Sequence, residues 1–175
     1  MALLARLDRL LRQISYVGFL GASALLLIVG LMGAADVLST NLLLKPIPGM
    51  LELSGSLLAV IVFLGLAEAQ ARGSNIVIDV ATQNMGPGMK RLSGILSLAL
   101  AGTLMTLVAW QTTRLAINSW SIRETALGAL AFPVAPFKSV AAFGAWLAAA
   151  EFARQLLRLL GGAEVSIGQK EDRDA

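Results

Sequence analysis

Cysteine and histidine are both absent from this 175-residue chain. Without them there are no disulfides, no thiolate nucleophile, no imidazole-ligated haem and none of the usual zinc sites. The six methionines cannot replace histidine in a di-haem cytochrome. Ser54, Ser56, Ser93 and Ser97 have no histidine to activate them, and neither a Gly-rich phosphate loop nor a metal-ligand cluster occurs. No catalytic, substrate-binding or metal-binding residue is therefore expected, nor any cofactor, and the chain does not read as an enzyme. A basic stripe with interleaved aromatics is also missing, so the net charge of +3 does not signify nucleic-acid binding.

What is present is apolar. Hydrophobic residues make up 57% of the chain and the mean hydropathy is +0.75, far above a soluble domain. Four long apolar stretches are separated by short charged punctuation. Gln13–Ala35 and Leu92–Thr113 carry no formal charge, and each meets the roughly 20 residues a helix needs to cross a bilayer. The expectation is an all-α polytopic membrane protein with four transmembrane helices in one domain, residues 1–160. The spans are expected near 14–38, 50–71, 92–117 and 134–160. The fourth is the least apolar, because it holds Lys138, Glu151 and Arg154. Its Lys138 is placed to snorkel at one end.

Shorter elements flank these spans. Residues 2–12 put Leu3, Leu4, Leu7, Leu10 and Leu11 on one helical face and Arg6, Arg9 and Arg12 on the other, which predicts an interfacial helix. The three arginines resemble a signal-peptide head, but the apolar run behind them is too long, so it reads as a retained first span. Gly18/Ala22 and Gly30/Ala34 are small-xxx-small pairs that permit close helix approach. A second in-plane amphipathic helix is expected over 76–85, ended by Gly86-Pro87-Gly88. The polar residues 161–175 read as a disordered tail.

Lys and Arg set the orientation. Ten fall on one side of this topology (Arg6, Arg9, Arg12, Arg72, Lys90, Arg91, Arg154, Arg158, Lys170, Arg173) and four on the other (Lys45, Arg114, Arg123, Lys138). The positive-inside rule then places both termini in the cytoplasm and the 118–136 loop outside. No span has an ionisable residue at its centre, which argues against an autonomous proton-coupled carrier. Glu52 and Glu68 lie about 24 Å apart along span two and cannot act as an acid–base pair.

The stretch LELSGSLLAVIVFLGLAEAQARGSNIVIDV, Leu51–Val80, resembles the small membrane subunit (DctQ-like) of TRAP transporters, the tripartite ATP-independent periplasmic carriers. Glu52, Arg72, Gly73, Ile76 and Asp79 fit that family's pattern, with Asn75 where histidine is common. ETALGALAFPVAPFKSVAAFGAWL, Glu124–Leu147, resembles the segment leading into its fourth span. The resemblance implies a scaffold subunit in a bacterial inner membrane. Its partners would be a large permease subunit that moves organic acids with sodium, a periplasmic solute-binding protein, and membrane lipids. Glu52, Arg72, Asp79, Arg123 and Glu124 become the candidate partner-interface or structural residues. A stand-alone small transporter and a structural assembly subunit remain the alternatives.

Overall fold

The computed structural model describes residues 2–72, 86–128 and 130–161. They form four helices: α1 (Ala2–Leu43), α2 (Met50–Ala71), α3 (Pro87–Ser121) and α4 (Ala135–Leu160). Among the described residues there is no strand, only an isolated bridge between Thr125 and Pro133. The expected helix over 76–85, Asp79 within it, and all but the first residue of the tail lie outside the described residues.

Three helices are long and apolar enough to cross a membrane: α1 from Asp8, α2, and α3 from Gly88. α4 has the length, 26 residues or about 39 Å, but Lys138, Glu151, Arg154 and Arg158 dilute its hydropathy. Residues 2–12 are continuous with the first span and form the opening turns of a 42-residue helix. At about 63 Å, α1 is roughly twice the thickness of a bilayer's hydrocarbon core.

Helix ends follow local chemistry. The α1–α2 turn is closed by Asp36, whose Oδ1 accepts the Ile47 N–H at 2.7 Å, and by Ser39 Oγ, which donates to the Lys45 carbonyl at 2.7 Å. Asp36 thus serves the turn. Pro87 opens α3, where its missing N–H is no loss. α3 ends in a Schellman turn: the Glu124 N–H reaches the Ser119 carbonyl and the Arg123 N–H the Trp120 carbonyl. Arg123 takes the left-handed position there, φ 49°, usually reserved for glycine.

The helices pack as a row, α1–α2–α4–α3, with α1 also touching α4. No described residues of α1 contact α3, nor those of α2 contact α3. α4 is therefore the central helix. The buried cluster joins Ala67 of α2, Met105 and Ala109 of α3, and Ala145, Leu147, Ala148 and Ala149 of α4, with Leu11, Phe63, Leu66 and Phe152 against it. Gly144 allows the closest crossing: a Cβ there would stand 2.7–2.8 Å from the Phe63–Leu64 backbone. Of the two small-residue pairs in α1, Gly18/Ala22 meets α2, with Gly18 facing Leu64 and Ala22 buried. Gly30 faces open space, because α1 has no neighbour on that side.

Candidate functional site

The polar side chains gather at the two ends of the row. At the end that holds the start of α1 and the finish of α4, a network crosses three helices. Arg154 donates through Nε to Glu151 Oε2 at 2.8 Å and through Nη1 to Asp8 Oδ1 at 2.8 Å. Its Nη2 also meets Glu151 Oε1. Arg158 binds the other Asp8 oxygen. Gln155 Nε2 donates to the Gln70 carbonyl at 2.6 Å and to Glu151 at 3.2 Å, while Gln70 Nε2 returns a bond to Gln155 Oε1 at 2.8 Å. Glu151 is fully buried and Arg154 partly buried. A buried carboxylate persists as an ion only when paired and hydrogen-bonded, and here both conditions hold. Arg91 tethers the start of α3 to the same end by donating to the Leu159 carbonyl at 3.2 Å.

Arg72 closes α2 beside this network. Its Nε donates to Glu68 Oε1 at 2.8 Å, and its guanidinium carbon lies 5.4 Å from the centroid of the Phe19 ring. An open pocket of about 660 Å³ between α1 and α2 is lined by Arg12, Gln13, Tyr16, Glu68, Ala71 and Arg72.

At the opposite end, the α3–α4 connection folds back as a short hairpin. The Ala126 N–H reaches the Phe132 carbonyl at 2.9 Å, and the Val134 N–H the Glu124 carbonyl at 3.2 Å. The Glu124 carboxylate binds Lys138 Nζ at 2.6 Å and Ser119 Oγ at 2.5 Å. These bonds, Lys138's first, hold its carboxyl below the usual glutamate range. Lys138 therefore has a protein partner instead of simply snorkelling. Trp120 Nε1 donates to Ser139 Oγ at 2.9 Å, tying α3 to α4 once more.

The hairpin lies over the start of α2. A Cβ on Gly128 would fall on the Glu52 carboxylate, and one on Gly49 would come within 2.6 Å of Leu130 Cβ. Glu52 forms no ion pair among the described residues, and Arg123 forms none either. Of the five expected residues, then, Glu52, Arg123 and Glu124 share the hairpin end. Arg72 stands at the other end, and Asp79 lies outside the described residues. Sequence reasoning missed Asp8 and Gln155, and it left Gln70 unremarked. Arg154 and Arg158, one turn apart and behind Glu151, were the available signal for a charged stripe on α4. Nothing local pointed to Asp8, 146 residues away from Arg154.

Between the two ends the buried Ser15 Oγ of α1 has no hydrogen-bond partner among the described residues, whereas several other span hydroxyls are answered by their own helices. Ser23, Ser56, Thr103, Thr106 and Thr113 each donate to the carbonyl four residues back. Trp146 Nε1 donates to Thr113 Oγ1 at 3.0 Å. No group of three or more acidic, cysteine or histidine side chains suited to a metal occurs among the described residues.

A row of apolar helices suits a membrane subunit, and the family comparison agrees. Residues 29–162 match the family described as tripartite ATP-independent periplasmic transporters, DctQ component. The chain belongs to that family. No curated protein and no solved structure matches it. The DctQ component is part of a transporter and not an enzyme family, and it works in a tripartite complex with a large permease and a solute-binding protein. The match covers the end of α1 and all of α2, α3 and α4.

Proposed function

We propose that this DctQ-family chain is the bracing subunit of a sodium-coupled uptake system for organic acids. It supports the large permease subunit in the bacterial inner membrane and holds neither substrate nor sodium. In this reading α4 is a fourth span and both termini are cytoplasmic. The 122–134 hairpin then faces outward. The observation that carries the proposal is the row itself. Ser56, Thr103 and Thr106 in its spans donate to their own helices, its charges lie toward the ends, and α1 and α3 turn long apolar flanks outward. A carboxylate substrate needs converging donors, and sodium needs several oxygens, at membrane depth. Glu151 is the one carboxylate fully buried among the described residues, and it is neutralised by Arg154.

Reconstituted permease plus binding protein is expected to lose uptake when this chain is left out. Substitutions at Ser54, Ser56, Thr103 and Thr106 are expected to leave the sodium dependence of the full complex unchanged. A shifted sodium dependence in any of them refutes the bracing role. For orientation, single cysteines suffice, since the chain has none of its own. An impermeant thiol reagent applied from outside should label position 121 and spare positions 74 and 166; the reverse pattern overturns the topology.

A further inference from the structure

The pocket between α1 and α2 has a chemistry that bracing does not require. Arg12 and Tyr16 stand one turn apart on α1 and face the end of α2. Arg12 makes no ion pair or hydrogen bond among the described residues. Arg72 faces it with a fixed orientation, because Nε is committed to Glu68 and the guanidinium is stacked over Phe19. Its two terminal nitrogens remain free for an anion. Glu68 adds a negative charge to the lining, but its side chain is 9% exposed and turned to Arg72. Two cations against one carboxylate leave the pocket one charge positive.

The position of the pocket narrows the ligand. Arg12 is the last charge before the uncharged run that starts at Gln13, and Glu68 and then Arg72 are the first charges after the one that ends at Ala67. The pocket thus opens where two antiparallel spans leave the hydrocarbon. From Gln13, the exposed Val17 and Leu20 continue the same stripe of α1 into the membrane. A soluble anion has no use for that shelf; an acyl chain does.

We propose that this pocket binds the headgroup of an anionic phospholipid, with the Arg12 and Arg72 guanidinium groups and the Tyr16 hydroxyl donating to its phosphate. The lipid's acyl chains lie along Val17 and Leu20. Basic pockets between transmembrane helices on the cytoplasmic side are a recurrent solution for such lipids, and the proposed orientation puts this one there. The binding chemistry does not depend on the bracing role, so either can fail without the other.

The test uses the full chain, alone and together with its large subunit, in phosphatidylcholine nanodiscs doped with phosphatidylglycerol or cardiolipin. Native mass spectrometry then reads the lipid that each protein retains on release. The parent should retain the anionic lipid over phosphatidylcholine. Arg12→Gln, on an exposed site with no partner to lose, should weaken retention about fivefold, the ratio for about 1 kcal/mol per surface cation. Arg12→Gln with Arg72→Gln should weaken it further, and Tyr16→Phe by less than either. Arg114→Gln, at the opposite end of the spans, should change nothing. Equal retention by parent and double variant overturns the proposal. So does displacement of the lipid by millimolar inorganic phosphate, which would mark a site for a soluble anion. Loss of the large subunit from the double variant with lipid retention intact would instead assign the pocket to a protein partner and likewise overturn it.

Discussion

Helix α1 carries the most apolar membrane-length stretch among the described residues and buries almost none of it, whereas α4 lacks a stretch of that apolarity and sits in the middle. Leu27 and Leu31 of α1 are about 70% exposed. The buried positions of α4 are mostly alanine, together with Gly144, Leu147, Leu159 and Glu151 in its pair with Arg154. In water that distribution would be inverted. In lipid, an apolar side chain gains nothing by leaving hydrocarbon for another helix, so hydropathy marks the outside. The interior goes to small residues that let backbones approach, and to polar groups that must find partners there. The contrast also separates what each helix offers. α1 presents surface to lipid or a partner subunit; α4 holds the other three together.

The contrast is most exposed to failure at Arg154. Arg154→Met leaves Glu151 buried without its cation, and breaking such a pair is worth about 3–5 kcal/mol. Thermal unfolding in detergent should fall accordingly. Glu151→Leu combined with Arg154→Met should recover most of the loss, because the unpaired charge is gone. By comparison, Leu31→Ala on α1 should stay within about 0.5 kcal/mol. Equal losses at Arg154 and Leu31 would break the comparison.

A smaller effect sharpens it. Gly144→Ala puts a methyl group against the α2 backbone, and overpacking of this kind costs about 1–3 kcal/mol. Gly30→Ala meets nothing within 4 Å and should instead gain up to about 1 kcal/mol from helix propensity. The two glycines should therefore shift the unfolding temperature in opposite directions, the first downward and by more.

The smallest expected effect concerns the hairpin that leads into α4. Glu124 at the hairpin is partly exposed and its carboxyl is held low by Lys138 and Ser119. A carboxyl whose folded value lies below its unfolded value stabilises the fold above the ordinary glutamate range, and loses that contribution as pH falls through the lowered value. Protection of the Ala126 and Val134 amides against hydrogen exchange, corrected for intrinsic rates, should therefore decline in that acid window. Glu124→Gln should lose this pH dependence. A pH-independent hairpin in the parent would show that the Glu124–Lys138 contact does not hold it.

Much of the architecture was legible beforehand. The charge-free runs gave α1, α2 and α3 their membrane-length cores, and Pro46, Pro48, Gly49, Pro133 and Pro136 placed the breaks. The start of α2 at Met50 coincides with expectation, because the turn chemistry there is local. The end of α1 does not: the helix runs to Leu43, past the predicted Leu38. The Asn41 side-chain amide donates to the Val37 carbonyl and the Asp36 carboxylate accepts the Ile47 N–H, which ties the last turns of α1 to the loop that follows. Of the candidate residues, Glu124 and Arg123 were flagged from a resemblance, but the Lys138 and Ser119 contacts that give Glu124 its role were not foreseen.

By itself, then, the sequence determined an all-helical chain with membrane-crossing helices and charges toward the ends. Each of those properties depends on residues close in the chain: hydrophobic length, helix propensity and the position of breakers. Only the tertiary structure decided that the helices stand in the order α1–α2–α4–α3. It also joined Asp8 to Arg154 and Gln70 to Gln155, and it brought Gly128 down on Glu52. Those outcomes depend on which surfaces approach most closely and which buried charges find partners. Such pairings span up to about 150 residues of chain and leave no periodic mark in it.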